Sequence, residues 1–128
     1  MTLVLDAGGI TALTTDPGVV LGFRRRHQWP PQVPAAVLTE ALTGDHRRDH
    51  ATNRLLRTCV IRAVDEPVAR EAARLRTATG RAGTISAIDA IVAAFAAQIA
   101  GAIVLTSDPI DLRALASHAA TPFVVGAV

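Results

Sequence analysis

The chain alternates short, wholly apolar runs with longer stretches of helical spacing, and this pattern constrains its fold more than any other feature. Leu3-Val4-Leu5, Cys59-Val60-Ile61, Ile103-Val104-Leu105 and Phe123-Val124-Val125 are too short for helices and lack the polar alternation of a strand with one wet face. Strands that are apolar throughout belong to sheets covered on both faces, and such sheets are parallel, with crossover connections between strands. The connecting segments are mostly long enough for crossovers. At 128 residues the chain reads as one domain, 1–128, large enough to bury a core without disulfide staples. The expected architecture is a small three-layer α/β domain.

Helix signals fill the connections. Residues 10–15 form a short helix closed by Asp16-Pro17-Gly18, and 29–34 is extended and proline-rich. Pro34 suits a first helical residue, with Gly44 past the last. Another helical stretch lies near 51–57. Asp65 is an N-cap for a helix on which Val68, Ala72 and Leu75 share one face. Ser86-Ala87-Ile88-Asp89 opens an alanine-rich helix to about residue 100, and Asp108-Pro109 starts a last one to about residue 116.

Composition narrows the chemistry. All 13 basic residues are arginine. Without lysine there is no P-loop, Schiff-base or lysine-dependent phosphotransfer site. A single cysteine, Cys59, excludes an internal disulfide and a four-cysteine zinc site. No charged leader precedes the first apolar run, and the tract 90–105 is too short and too interrupted to span a bilayer. A soluble, cytoplasmic protein with no membrane partner is the expectation.

The charges are unevenly placed. Residues 45–81 hold fourteen charged side chains, nine arginines and five acids. Elsewhere acids stand alone: Asp6 before Asp16, Glu40 between Arg26 and Asp45, Asp89 between Arg81 and Asp108. A lone acid in an apolar helix needs an explanation. Asp6 and Asp108 follow directly on expected parallel strands, at the carboxyl edge where open α/β sheets bind ligands. Were the four acids to converge, two carboxylates 4 Å apart would repel by about 4 kcal/mol at an effective dielectric of 20. Protons or a cation must then neutralise them. Oxygen-only ligands suit Mg²⁺ or Mn²⁺, the ions that support in-line hydrolysis of a phosphodiester.

Each acid also has a plainer reading. Ser86 and Asp89 have capping-box spacing, Asp108 before Pro109 is a possible N-cap, and Asp111 is a favourable first-turn acid. Asp6 can accept from the amides of the Gly8-Gly9 turn, and Glu40 can face water. It is their joint placement that points to a metal site.

The segments VLDAGGITAL, VPAAVLTEAL, SAIDAIVAAFAAQIAGAIVLTSDPIDLRAL and the closing strand resemble a PIN domain, and more narrowly the VapC-type ribonuclease toxins of VapBC toxin–antitoxin pairs. The resemblance implies a PIN-like three-layer fold with a short central parallel sheet of about four to five strands flanked by helices. It implies a Mg²⁺- or Mn²⁺-dependent endoribonuclease with Asp6, Glu40, Asp89 and Asp108 as catalytic acids. Asp6, Asp89 and Asp108 would hold the metal, with Thr106 and Asp111 in support beside them. The implied partners are an RNA substrate and a cognate VapB-type antitoxin, with a homodimer that forms a heterotetramer or larger assembly. One departure stands out: where many relatives carry Ser or Asn two residues after the first Asp, this chain has Gly8. A catalytically degenerate scaffold that binds RNA or protein is the alternative that Gly8 favours.

Other signals are weak. Arg24-Arg25-Arg26 can hold an RNA backbone, although a solvated helical surface explains most individual arginines. Few aromatics and no tyrosine argue against a base-stacking platform. His46 and His50 have helical spacing but lack the glutamate of a zinc-protease motif, so the segment reads as an exposed polar loop or helix. Cys59 reads as inert core, no GxGxxG or GxSxG motif is present, and a haloacid-dehalogenase site would need a second Asp and a lysine.

Overall fold

A computed structural model describes all residues, 1–128. The elements run β1 (Thr2–Leu5), α1 (Ala7–Thr15), α2 (Pro17–Arg25), β2 (Gln32–Pro34), a 3₁₀ turn (Ala35–Val37), α3 (Leu38–Ala41), α4 (His50–Leu56), β3 (Val60–Arg62), α5 (Glu66–Ala78), α6 (Ala87–Ala96), β4 (Ala102–Thr106), α7 (Pro109–Ala116) and β5 (Val124–Ala127). The five strands form one parallel sheet in the order β3-β2-β1-β4-β5. Helix α1 packs on β1 and β4 from one side, and α6 packs on β1, β2 and β4 from the other, giving the three layers.

The apolar runs of the central strands are buried as their composition requires: Leu3, Val4, Leu5 and Val104 have no exposed surface, nor has Val33 of β2. The runs at the two sheet edges are not covered on both faces, because an edge strand has a neighbour on one side only: Ile61 of β3 is 40% exposed and Val124 of β5 54%. Neighbouring residues on one strand point to opposite faces, so burial of both Leu3 and Val4 means that both faces are covered. Each such side chain contributes roughly 1.5–3 kcal/mol of transfer free energy.

Two close approaches set the tilt of α1. A methyl group on Gly9 would lie 2.5 Å from the Leu105 carbonyl oxygen, and one on Gly8 would lie 2.1 Å from the Ser107 hydroxyl. Glycine at both places lets the first turn of α1 lie directly against the end of β4.

The structure departs from the sequence expectations in several places. Asp16-Pro17-Gly18 ends α1 but also starts α2, with Asp16 accepting from the Gly18 and Val19 amides and Pro17 at the first helical position. Gln32–Pro34, read only as extended, is a strand of the sheet, and Pro34 ends it rather than opening a helix. The helical segment after it stops at Ala41, short of Gly44. Helix α6 ends at Ala96, because residues 97–101 turn back to start β4.

Candidate metal centre

In this strand order the sequence direction reverses between β1 and β4: the chain leaves β1 towards β2 and β3, then returns to β4 and β5. Outside the carboxyl ends of strands at such a switch point lies the usual ligand crevice of an open α/β sheet. Leu5 pairs with Leu105 in register, so the next residues, Asp6 and Thr106, emerge side by side.

Asp6 is 6% exposed and caps α1, accepting from the Gly9 amide at 2.8 Å. The Thr106 side chain lies beside the same carboxyl group and acts to lower its pKa. Burial nonetheless dominates and pushes the Asp6 pKa upward, with the Asp108 charge adding to it. Thr106 is fully buried, and its hydroxyl also accepts from the Asp108 amide at 2.9 Å. One buried side chain thus holds the backbone of one acid and stands beside the carboxyl of another.

Asp89 sits in the first turn of α6. Ser86 caps that helix by accepting from the Asp89 backbone N–H at 3.0 Å, so the cap uses the amide of Asp89. The half-buried carboxyl is pushed up to about 6, first by burial, then by Asp6, and to a lesser degree by Asp108 and Glu40. Asp108 is exposed and stands at the N-cap position of α7 without capping it. The plainer readings of Asp89 and Asp108 as caps therefore describe the backbone only.

Carboxylate oxygens of Asp89, Asp108 and Asp111 all lie within 4.8 Å of one another. Asp111, expected as a supporting residue, thus joins Asp89 and Asp108. Asp6, the first of the charges that act on Asp89, stands beside them while it caps α1. The spacing of Asp111 three residues after Asp108 on α7 was the available signal, since residues three apart share a helical face. Glu40, exposed on α3, adds its charge to the field at Asp89 from outside the trio. Three converging carboxylates with no nitrogen or sulfur donor fit a hard divalent cation such as Mg²⁺ or Mn²⁺. Asp108 is exposed and Asp89 and Asp111 are partly buried, and none of the three lines a cavity of the molecule.

The secondary candidates divide. Arg24 lies 4.9 Å from the centre of the Trp29 ring and Arg26 4.9 Å from that of Phe23, at the end of α2. Cys59 precedes β3, its thiol donating to the Leu55 carbonyl, and burial raises its pKa to about 11, an unreactive thiol. His46 and His50 are exposed, as read. Between them Asp49, expected in an exposed segment, is buried: it accepts from the Thr43 and Gly44 amides and the Thr43 hydroxyl, closing the loop before α4. No sequence periodicity marks a carboxylate used as a loop clamp.

Residues 32–117 match the PIN domain family. Among solved structures, a chain of DNA-bound VapBC from Salmonella typhimurium superposes with a TM-score of 0.73 at 13% identity, covering 99% of this chain and 98% of its own. FitAcB from Neisseria gonorrhoeae gives 0.65 at 22% identity, with 95% and 96% covered. VapBC2 from Rickettsia felis, bound to a fragment of promoter DNA, gives 0.68 at 12% identity, with 100% and 99% covered. No curated protein sequence matches the chain.

Proposed function

This chain belongs to the PIN domain family, and from that premise we propose that it is a Mg²⁺- or Mn²⁺-dependent endoribonuclease, the VapC-type toxin of a type II toxin–antitoxin pair. The observation that carries the reading is the convergence of Asp89, Asp108 and Asp111 beside Asp6 at the switch point of the sheet. Asp6, Asp89 and Asp108 would hold the ion, with Asp111 close enough to join them. When bound, the ion supplies Lewis-acid charge for in-line displacement at phosphorus.

The protein's own residues do the rest. The Gly9 amide holds the Asp6 carboxyl and Thr106 holds the Asp108 backbone, so both acids are anchored before any cation arrives. Glu40 stands outside the trio, exposed and able to accept a proton from an attacking water. A site at the sheet edge that lines no enclosed cavity suits a polymer better than a small molecule, which is ordinarily held in a cavity. Arg24, Arg25 and Arg26 are proposed to hold RNA phosphates, which arginine binds bidentately. The neighbouring structures, which are VapBC complexes, support a VapB-type antitoxin as partner. A homodimer that joins a larger complex with that antitoxin belongs to the same proposal.

Gly8 is the feature that favours a degenerate, binding-only scaffold. In this fold the space a side chain at that position would take is filled by the Ser107 hydroxyl, and every carboxylate is retained.

RNA cleavage by the purified protein with Mg²⁺ or Mn²⁺, with EDTA and Asp6→Asn as controls, tests the reading. Cleavage that requires the ion and is lost in the variant is the expected result. Metal binding without cleavage of any RNA offered would favour the binding scaffold, and cleavage surviving both controls would contradict the assignment of the site.

A further inference from the structure

We propose that Arg81 is the built-in counter-cation of the acidic trio, holding Asp111 while the metal is absent and competing with metal uptake. The inference rests on the metal-centre reading above.

The Arg81 guanidinium lies 2.7 Å from the Asp111 carboxylate, across thirty residues of sequence. The two other ion pairs, Arg70–Glu66 and Arg74–Glu71, are local pairs on the surface of α5, and neither reaches the acidic group. Arg81 is therefore the arginine placed at the cluster. Its partner is the less exposed of the two, with 16% of the Asp111 side chain accessible against 43% of Arg81.

The backbone of Arg81 is held independently of its side chain. Its carbonyl accepts from the Thr84 and Ile85 amides at 2.9 and 3.0 Å, Ile85 is buried, and Arg76 donates to the Ile85 carbonyl at 2.7 Å. The turn presents the guanidinium to Asp111 on α7.

Charge gives the pair its consequence. Three carboxylates within 4.8 Å of one another repel, and a guanidinium on one of them reduces the net charge of the group from three negative to two. A divalent cation entering the group meets Arg81 as a like charge and must share Asp111 with it or displace it. Removal of the arginine should then raise metal affinity while leaving the empty site less stable, because binding to the folded state and stability of that state are linked. The effect should shrink with added salt, since Arg81 is part exposed.

Calorimetric titration of metal-free protein with MnCl₂ at low ionic strength tests this in wild type, Arg81→Gln, Arg81→Lys and Arg81→Gln/Asp111→Asn. Arg81→Gln should bind Mn²⁺ at least threefold more tightly than wild type and melt at a lower temperature when metal-free, with the melting gap closing at saturating Mn²⁺. Arg81→Lys should restore wild-type affinity, and in the Asp111→Asn background the loss of Arg81 should change affinity by less than half as much. Unchanged or weaker Mn²⁺ binding by Arg81→Gln, with wild type binding normally, would overturn the role of Arg81 alone. Absence of binding by wild type would overturn the metal centre and this inference with it.

Discussion

Thr106 and Asp108 are joined at the end of β4, where the buried Thr106 hydroxyl accepts from the Asp108 amide at 2.9 Å, beside the Asp6 carboxyl at the β1–β4 seam. The backbone of one acid is thereby fixed by a buried oxygen that stands beside a second. Thr106→Val keeps the shape and removes that oxygen, leaving the Asp108 amide without its acceptor. Loss of a buried hydrogen-bond partner costs about 1–3 kcal/mol. Urea unfolding should show a loss in that range, Thr106→Ser should recover most of it, and RNA cleavage should fall more in the Val variant than in the Ser variant.

The close approach of α1 to β4 predicts opposite outcomes for two glycines. An alanine at Gly9 must move the Leu105 carbonyl, a backbone atom that cannot swing away, and overpacking of this kind costs about 1–3 kcal/mol. Gly83 has nothing within 4 Å of where its methyl would stand, so Gly83→Ala should be neutral or slightly stabilising. Thermal melts of the two variants check the contrast. Equal melting temperatures would mean that α1 does not rest on β4 as described.

Asp89 and Asp49 should respond to pH with opposite signs. The folded-state pKa of Asp89 is raised from 3.8 to about 6, so its favourable contribution is complete below the unfolded value and is lost as pH rises through about 6. Metal-free Asp89→Asn should therefore gain on wild type progressively as pH rises from 3.8, reaching its full gain of about 1–3 kcal/mol above about 6. A large loss at neutral pH would instead return Asp89 to a structural role in α6.

Hydrogen bonds from the Thr43 backbone, with those from its hydroxyl and from Gly44, hold the Asp49 carboxyl below its ordinary value. Its contribution is present above the unfolded pKa of 3.8 and lost as pH falls through the lower folded value. Asp49→Ala should melt well below wild type at neutral pH, with the difference shrinking in acid. A difference that holds constant down to pH 2 would show that Asp49 does not act through its charge.

The parts of this fold that could be read directly were those in which one local signal decides. The run Leu3-Val4-Leu5 ending at Asp6, and the Asp65 cap with Val68, Ala72 and Leu75 on one face, appear in the structure as the sequence implies. The two-way role of Asp16 was harder, since Asp-Pro both stops one helix and, through the Gly18 and Val19 amides, caps the next. Gln32–Pro34 becomes a strand by pairing with β1 and β3, a tertiary effect that two flanking prolines disguise. At the site, the lone acids marked the region, but how the carboxylates converge depends on where α1 and α7 begin. Capping ties Asp6 to the first turn of α1, and helical spacing brings Asp111 beside Asp108. The pairing of Arg81 with Asp111 joins segments distant in sequence, and nothing local announces it.

The central claim is that the acids at the β1–β4 edge form one divalent-cation site. Titration of metal-free protein with Mn²⁺, followed by the electron paramagnetic resonance of the free ion, tests it most directly when wild type is compared with Asp108→Asn. Saturable loss of the free-ion signal in wild type, weakened at least tenfold in Asp108→Asn, is the predicted result. A signal that grows linearly with added Mn²⁺ in wild type, or binding unaffected by the substitution, would contradict it.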